Sequence, residues 1–180
     1  MNHTLSKTYN IDTEIQKIQT VLYDELLKVW QGELDGYGRV YKNERDGKVI
    51  PEVWRKDKNN YLETLYNNKS CFFFIDGDEH TSEDGIVYST SLKIAFMVNL
   101  NKVLPNEEER ADASVKRDVI EVLRTNVFNG FQLTEGATYQ KGIEQVFRGL
   151  DTSNLNFNDM QPLHVFAITG TLNYYVNNKC

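Results

Sequence analysis

Cysteine, proline and basic charge are all scarce in this chain, and each scarcity removes a class of protein. Of its 180 residues two are cysteines, Cys71 inside an apolar run and Cys180 at the last position. Two thiols so placed make neither a disulfide framework nor a zinc site, and a reducing compartment suits them. Only three prolines occur, and no stretch is rich in Pro, Gly or Ser, so nothing marks a linker and residues 1–180 read as one domain. A domain of this size buries roughly 70% of its unfolded surface. No run approaches about 18 consecutive apolar residues, and "MNHTLSKTYNIDTEIQ" lacks the apolar segment of a signal peptide. Neither membrane spanning nor secretion is expected, and residues 1–9 read as a flexible tail. Twenty Lys and Arg stand against 26 Asp and Glu, a formal charge of -6. General nucleic-acid binding needs clustered excess basic charge and is disfavoured. There is no glycine-rich phosphate loop, no G-x-S-x-G elbow and no H-E-x-x-H pair, the signatures that would announce phosphate, acyl-transfer or zinc chemistry.

What is present is strong periodicity. Ile11, Ile15, Ile18, Leu22 and Leu26 recur at helical steps with Asp12, Glu14, Lys17 and Asp24 between them, predicting a helix from Ile11 to Trp30, capped by Asn10 and stopped by Gly32. In "GYGRVYKNERDGKVIPEVW", Asp46-Gly47 sits between two β-rich runs and predicts a two-residue hairpin turn. Pro51 places its strand at a sheet edge or a bulge, and the hairpin is expected to project from the body. "CFFFI" reads as a strand buried on both faces. In "IVYSTSLKIAFMVNL", Tyr88, Thr90, Leu92, Ile94, Phe96, Val98 and Leu100 alternate with Ser89, Ser91, Lys93 and Asn99, the clearest strand of all. At about 3.3 Å per residue it spans roughly 46 Å, against a diameter of about 40 Å for a compact domain of this size. A strand that long bends around a helix or offers an open end to another chain.

"NEEERADASVKRDVIEVLRTN" gives a second helix, with Asn106 as cap, Glu107, Glu108 and Glu109 complementing the helix dipole, and Ala111, Val115, Val119 and Val122 as the apolar stripe. Val127 to Gly149 admits short strands or a turn of helix. "LHVFAITGTLNYYV" alternates again, with Gly170 expected at a bulge. The order of elements predicts an α+β domain, a mostly antiparallel sheet with helices on one face and a projecting hairpin.

The candidate chemistry lies in "CFFFIDGDEHTSEDG". Counted from Asp76 as a calcium loop, Asp78 fits the third position, but Thr81 stands where Gly is required and Val87 where Glu is. A catalytic carboxylate pair of Asp76 and Glu79 would need one member in an apolar pocket, and so polar a loop is expected to leave both solvated. A turn between strands is the simpler reading, and no cofactor or metal is assigned. Cys71 reads as a small buried hydrophobe, and His3, His80 and His164 fall in a tail, a loop and a strand.

Charge is uneven. From Arg39 to Lys58 there are seven basic residues, Arg39, Lys42, Arg45, Lys48, Arg55, Lys56 and Lys58, against Glu44, Asp46, Glu52 and Asp57. Either this is a solvated hairpin, or its basic and aromatic residues, with Tyr37, Tyr41 and Trp54 among them, dock head to tail on an identical neighbour. Contact with a DNA backbone fits the local sign and not the global one.

With its order of elements, the phrases "VWRKDKNNYLETLYNN", "CFFFIDGDEH", "LKIAFMVNLNKV" and "DMQPLHVFAITGTLNYY" give a chain that resembles the neck proteins of tailed bacteriophages. These are the tail-completion, tail-terminator and head-to-tail connector proteins, and the likeness is greatest to ring proteins of crAss-like phages. It runs from Ile11 to Tyr175 and carries no catalytic motif. It implies a tail-terminator-like fold and a non-enzymatic virion protein. That protein would form a ring with identical subunits, contact neighbouring portal, neck or tail proteins, and let genomic DNA pass transiently, with no membrane involved. Assembly would take place in the host cytoplasm. On that expectation Arg39, Tyr41, Arg45, Lys48, Trp54 and Arg55 are subunit-interface candidates, and Asp76, Asp78, Glu79, Glu83 and Asp84 line the channel, where acidic charge repels phosphate. The alternatives are a soluble metal-dependent hydrolase using the acidic loop 76–84 and a carbohydrate-binding module using exposed aromatics such as Trp54 and Tyr41.

Overall fold

The computed structural model describes residues 1–64, 70–106, 111–128, 130–134, 139–153, 155 and 163–176. Glu107, Glu108, Glu109 and Cys180, which figured in the expectations above, lie outside the described residues. The fold is α+β. Its main sheet runs in the order β1 (Asn2–His3), β2 (Leu34–Arg39), β6 (Ser70–Asp76), β7 (Val87–Asn99), β10 (Leu163–Tyr175) and β8 (Phe131–Leu133), with β9 (Tyr139–Lys141) also paired to β10. β1–β2 and β2–β6 are parallel and the other pairs antiparallel. A second sheet of three strands, β3 (Tyr41–Arg45), β4 (Lys48–Arg55) and β5 (Asn60–Glu63), is inserted between β2 and β6.

The alternation read in the sequence sorts side chains onto two faces. Phe72, Phe74, Leu92, Ile94, Phe96, Phe166 and Ile168 pack with α1 (Ile11–Val29) and α3 (Ala111–Thr125). Cys71, Phe73, Ala95, Met97, Val165 and Ala167 face the other way, onto Tyr37, Val40, Val53 and the short helix α4 (Ile143–Val146). Helices therefore do not keep to one face, as the sequence had suggested. α4 and the small sheet cover the second face, because β6 and the inner halves of β7 and β10 are apolar on both sides. Among the described residues no helix is long and apolar enough to cross a membrane.

Several local expectations change. Asn2 and His3 are not a tail: they pair with Gly36 and Tyr37, and the His3 ring is buried and stacked on Tyr37 at 4.6 Å between centroids. Asn10 has φ 49° and does not cap α1 through its side chain, and the helix closes at Trp30, whose N–H reaches the Leu26 carbonyl. β7 stops at Asn99, whose side chain accepts from Lys102 N–H and starts the one-turn helix α2 (Leu100–Val103). The Asp46-Gly47 turn forms as expected, with positive φ at both residues and Arg45 opposite Lys48. β4, however, is the middle strand of its sheet. Pro51 is tolerated because it lies just past the Glu52–Glu63 pair where the β4–β5 ladder ends. The hairpin base is docked through fully buried Val53, and only its tip projects. Between Val127 and Gly149, both strands and a helical turn occur.

Gly170 is not at a bulge, since its register with Leu92 is unbroken. A Cβ there would lie 2.5 Å from the Phe131 ring and 2.5 Å from the Gln132 carbonyl oxygen, so the glycine exists to let β8 lie against β10.

Candidate functional site

Where β2 leaves the main sheet, its pairing with β6 slips. Gly36 faces Phe72 while Arg39 faces Phe74, so one extra residue is taken up on β2. Such an irregularity re-aims a side chain, and here it turns Arg39 toward the first turn of α1. Arg39 Nε and Nη2 donate to both carboxylate oxygens of Asp12 at 2.8 and 3.1 Å, and Nη1 donates to Asp76 Oδ2 at 3.0 Å. Asp12 also suits the positive end of the α1 dipole. Burial works against the guanidinium charge, but the hydrogen bonds and charges of Asp12 and then Asp76 outweigh it and hold Arg39 above its ordinary range.

This ion triad forms the floor of a cleft of about 350 Å³. One wall is the small sheet. Trp54 pairs with Tyr61 across β4–β5, and Tyr41 projects from the same face. Tyr61 lies 5.5 Å from Trp54 and 6.1 Å from Tyr41 between ring centroids. Gln16 and Gln19 of α1 and Gly38 of β2 close the inner end, and Asp76 to Asp78 with His80 form the opposite lip. Lys42 Nζ donates to Asp78 Oδ1 at 2.6 Å and to the Asp76 carbonyl at 3.0 Å, tying the small sheet to that lip. His80 Nδ1 lies 2.7 Å from the Tyr174 hydroxyl and Nε2 lies 3.1 Å from the Gly77 carbonyl. In the neutral ring these are met by Nε2–H donating to Gly77 and the Tyr174 O–H donating to Nδ1.

The expected interface residues divide. Arg39, Tyr41 and Trp54 meet at the cleft. Arg45 pairs with Glu52 at 2.8 Å, Arg55 with Asp57 at 2.9 Å, and Lys48 approaches Asp151 at 3.5 Å. The acidic stretch divides too. Asp76 is 8% exposed and held by Arg39, which corrects the expectation that it is solvated: it ends a buried strand and its charge is met inside the fold. Asp78, Glu79, Glu83 and Asp84 are exposed. Asp84 accepts from the backbone N–H groups of Ile86 and Val87 at 2.8 and 2.9 Å, and these bonds hold its carboxyl below the usual aspartate range. The Lys42 hydrogen bond does the same for Asp78. Cys71 is fully buried and burial pushes its thiol up to about 12.

Asp12, Tyr61, Gln19 and Tyr174 were missed as site residues. Asp12 and Gln19 looked like ordinary positions on an amphipathic helix, and no local signal marks which helix face meets β2. Among the described residues no three His, Cys, Asp or Glu side chains gather as a metal ion would need. The chemistry on offer is recognition: carboxylate and amide acceptors, guanidinium and ammonium donors, and an aromatic wall. No protein-family model matches the chain, and no curated protein matches it.

Proposed function

We propose that this chain is a structural, non-enzymatic subunit of a tailed-bacteriophage neck or tail, forming a ring with identical copies between portal and tail through which the genome passes. The observation that carries the reading is the state of the small sheet. Among the described residues, the outer edges of β3 and β5 are unpaired, and β5 presents both Tyr61 and Leu62 to solvent. Exposed strand edges with apolar side chains are templates for pairing with another chain, and a head-to-tail contact made in this way closes into a ring when the rotation between copies permits. The resemblance of the sequence to neck ring proteins supports the same reading. Exposed Asp78, Glu79, Glu83 and Asp84 would supply the acidic surface that lets a phosphate backbone slide.

The test is to locate the chain in the particle. Mass spectrometry of purified virions should find it in fixed stoichiometry, and imaging of the neck should show it as a ring. Its presence in infected cells but absence from finished particles would reject the proposal, as would turnover of a substrate by the purified chain.

A further inference from the structure

The Arg39 cleft has features that assembly through strand edges does not require. Three aromatic rings line one side of it, and a fixed array of planar polar groups lines the other. Its volume of about 350 Å³ falls at the lower end of small-molecule sites, about 300–1,000 Å³.

The polar side is already organised without a ligand. Asp12 is gripped at both oxygens by Arg39, and Asp76 at one, so each carboxylate keeps lone pairs for further donors while its orientation is fixed. Gln19 is 1% exposed and its amide nitrogen donates to Asn2 Oδ1 at 2.7 Å and to the Gly36 carbonyl at 3.0 Å. Among the described residues no donor reaches its Oε1. That oxygen lies beside Gly38, where a Cβ would stand 3.4 Å away, so the missing side chain leaves it open to the cleft. An acceptor open to the cleft can take a hydrogen bond from a ligand hydroxyl placed at the inner end.

Charge narrows the ligand further. The lining holds Arg39 and Lys42 against Asp12, Asp76 and Asp78, and both cations are already paired with those carboxylates. Neither of these two cations is left free to neutralise a phosphate or carboxylate, so an anionic ligand is disfavoured. A purely apolar ligand would strip water from the carboxylates without replacing their hydrogen bonds. The ligand that fits has an apolar face for Trp54 and Tyr61 and several neutral hydroxyl donors around its rim.

We propose that this cleft binds a neutral sugar ring, its C–H face stacked on Trp54 and flanked by Tyr61, whose ring is inclined 64° to the indole, and its hydroxyls donating to Asp12, Asp76 and Gln19 Oε1. The proposal is independent of the ring reading, since a sugar site can exist with or without assembly.

The experiment titrates isotope-labelled protein with methyl β-D-glucopyranoside, methyl α-D-mannopyranoside, galactose and N-acetylglucosamine, with glucose 6-phosphate as the anionic control. At least one neutral sugar should give saturable shifts confined to the Trp54 indole and the amides of 38–42 and 76–80, and glucose 6-phosphate should bind more weakly than glucoside. Trp54→Ala should weaken binding by about tenfold or more, and Trp54→Phe, which keeps a ring face, by less. Tyr61→Ala, at a ring 40% exposed, provides a second variant should Trp54→Ala fail to fold, and is also expected to weaken binding. No saturable shift with any of the four neutral sugars overturns the proposal. So does an affinity unchanged in folded Trp54→Ala or, in its place, Tyr61→Ala, or tighter binding of the phosphate.

Discussion

Replacing Arg39 by leucine tests whether the ion triad holds the cleft together. The guanidinium makes three charge-assisted hydrogen bonds, two to Asp12 and one to Asp76. Removing one partner of a fully buried pair typically costs about 3–5 kcal/mol, because the other charge is left without compensation. Here the penalty is smaller, since the Arg39 and Asp12 side chains are each about one-third exposed while only Asp76 is buried. Solvent screens the Asp12 half of the triad, leaving about 2 kcal/mol, most of it from stranding Asp76. For a chain of this size that corresponds to a fall of about 4–8 °C in Tm. Urea denaturation of wild type, Arg39→Leu, Asp76→Asn and the double variant closes the cycle. The double variant should be about 1 kcal/mol more stable than the sum of the single losses predicts, because the charge that Arg39 leaves behind is gone. An Arg39→Leu protein within about 0.5 kcal/mol of wild type, or strict additivity, would show that the triad is a solvated surface contact and refute the reasoning.

Gly170→Ala should cost about 1–3 kcal/mol as overpacking, since its Cβ would meet the Phe131 ring and the Gln132 carbonyl. Faster amide exchange should be confined to 131–133 and their partners, and a neutral effect would mean that β8 does not lie against β10 there. In a Cys180→Ser background, Cys71 should resist a thiol reagent at pH 8 until the protein unfolds, because its thiol is buried and pushed up to about 12. Labelling of the native protein would contradict its place in the core. Asp57, Asp78 and Asp84 are all held below the ordinary aspartate range in the fold, by hydrogen bonds from Arg55, from Lys42 and from the backbone of Val87 and Ile86. Stability from these groups is therefore complete above the unfolded value of about 4 and is lost as pH falls toward their lowered folded values. Tm should drop from pH 6 to pH 3, and Asp84→Ala should flatten that slope; an unchanged slope would deny Asp84 its role in the turn.

What could be read from the sequence was whatever depends on neighbours along the chain. The two-residue period of β7 and β10, the helical period of α1 and the Asp46-Gly47 turn each state their geometry within a few residues. What could not be read depends on residues far apart in sequence. Two residues, Asn2 and His3, are too short to show a period, and only the presence of Gly36 and Tyr37 makes them a strand. A glycine inside a strand has two physical meanings, a bulge or a close approach; the bulge was expected at Gly170, and only the position of Phe131 shows it to be the other. Arg39 looked like one cation among seven on a hairpin. Its distinct role arises because the slip between β2 and β6 turns it back toward α1.

The same long-range pairing changes what the basic hairpin can contribute to assembly. Read along the sequence, its positive charges were available to meet an acidic neighbour. In the fold, Arg39, Lys42, Arg45 and Arg55 are paired with Asp12 and Asp76, Asp78, Glu52 and Asp57 respectively, at 3.1 Å or less. A second copy would have to displace these partners, exchanging one ion pair for another at little net gain. Electrostatic docking through these four cations is thus weak as a driving force. What the small sheet still offers without such exchange is exposed Lys56 and Lys58, which have no ion pair among the described residues, backbone donors and acceptors along its outer strands, and the exposed rings of Tyr41 and Tyr61. If copies of this chain associate, strand edges and apolar contact must therefore supply most of the free energy, with charge confined to setting which surfaces avoid each other.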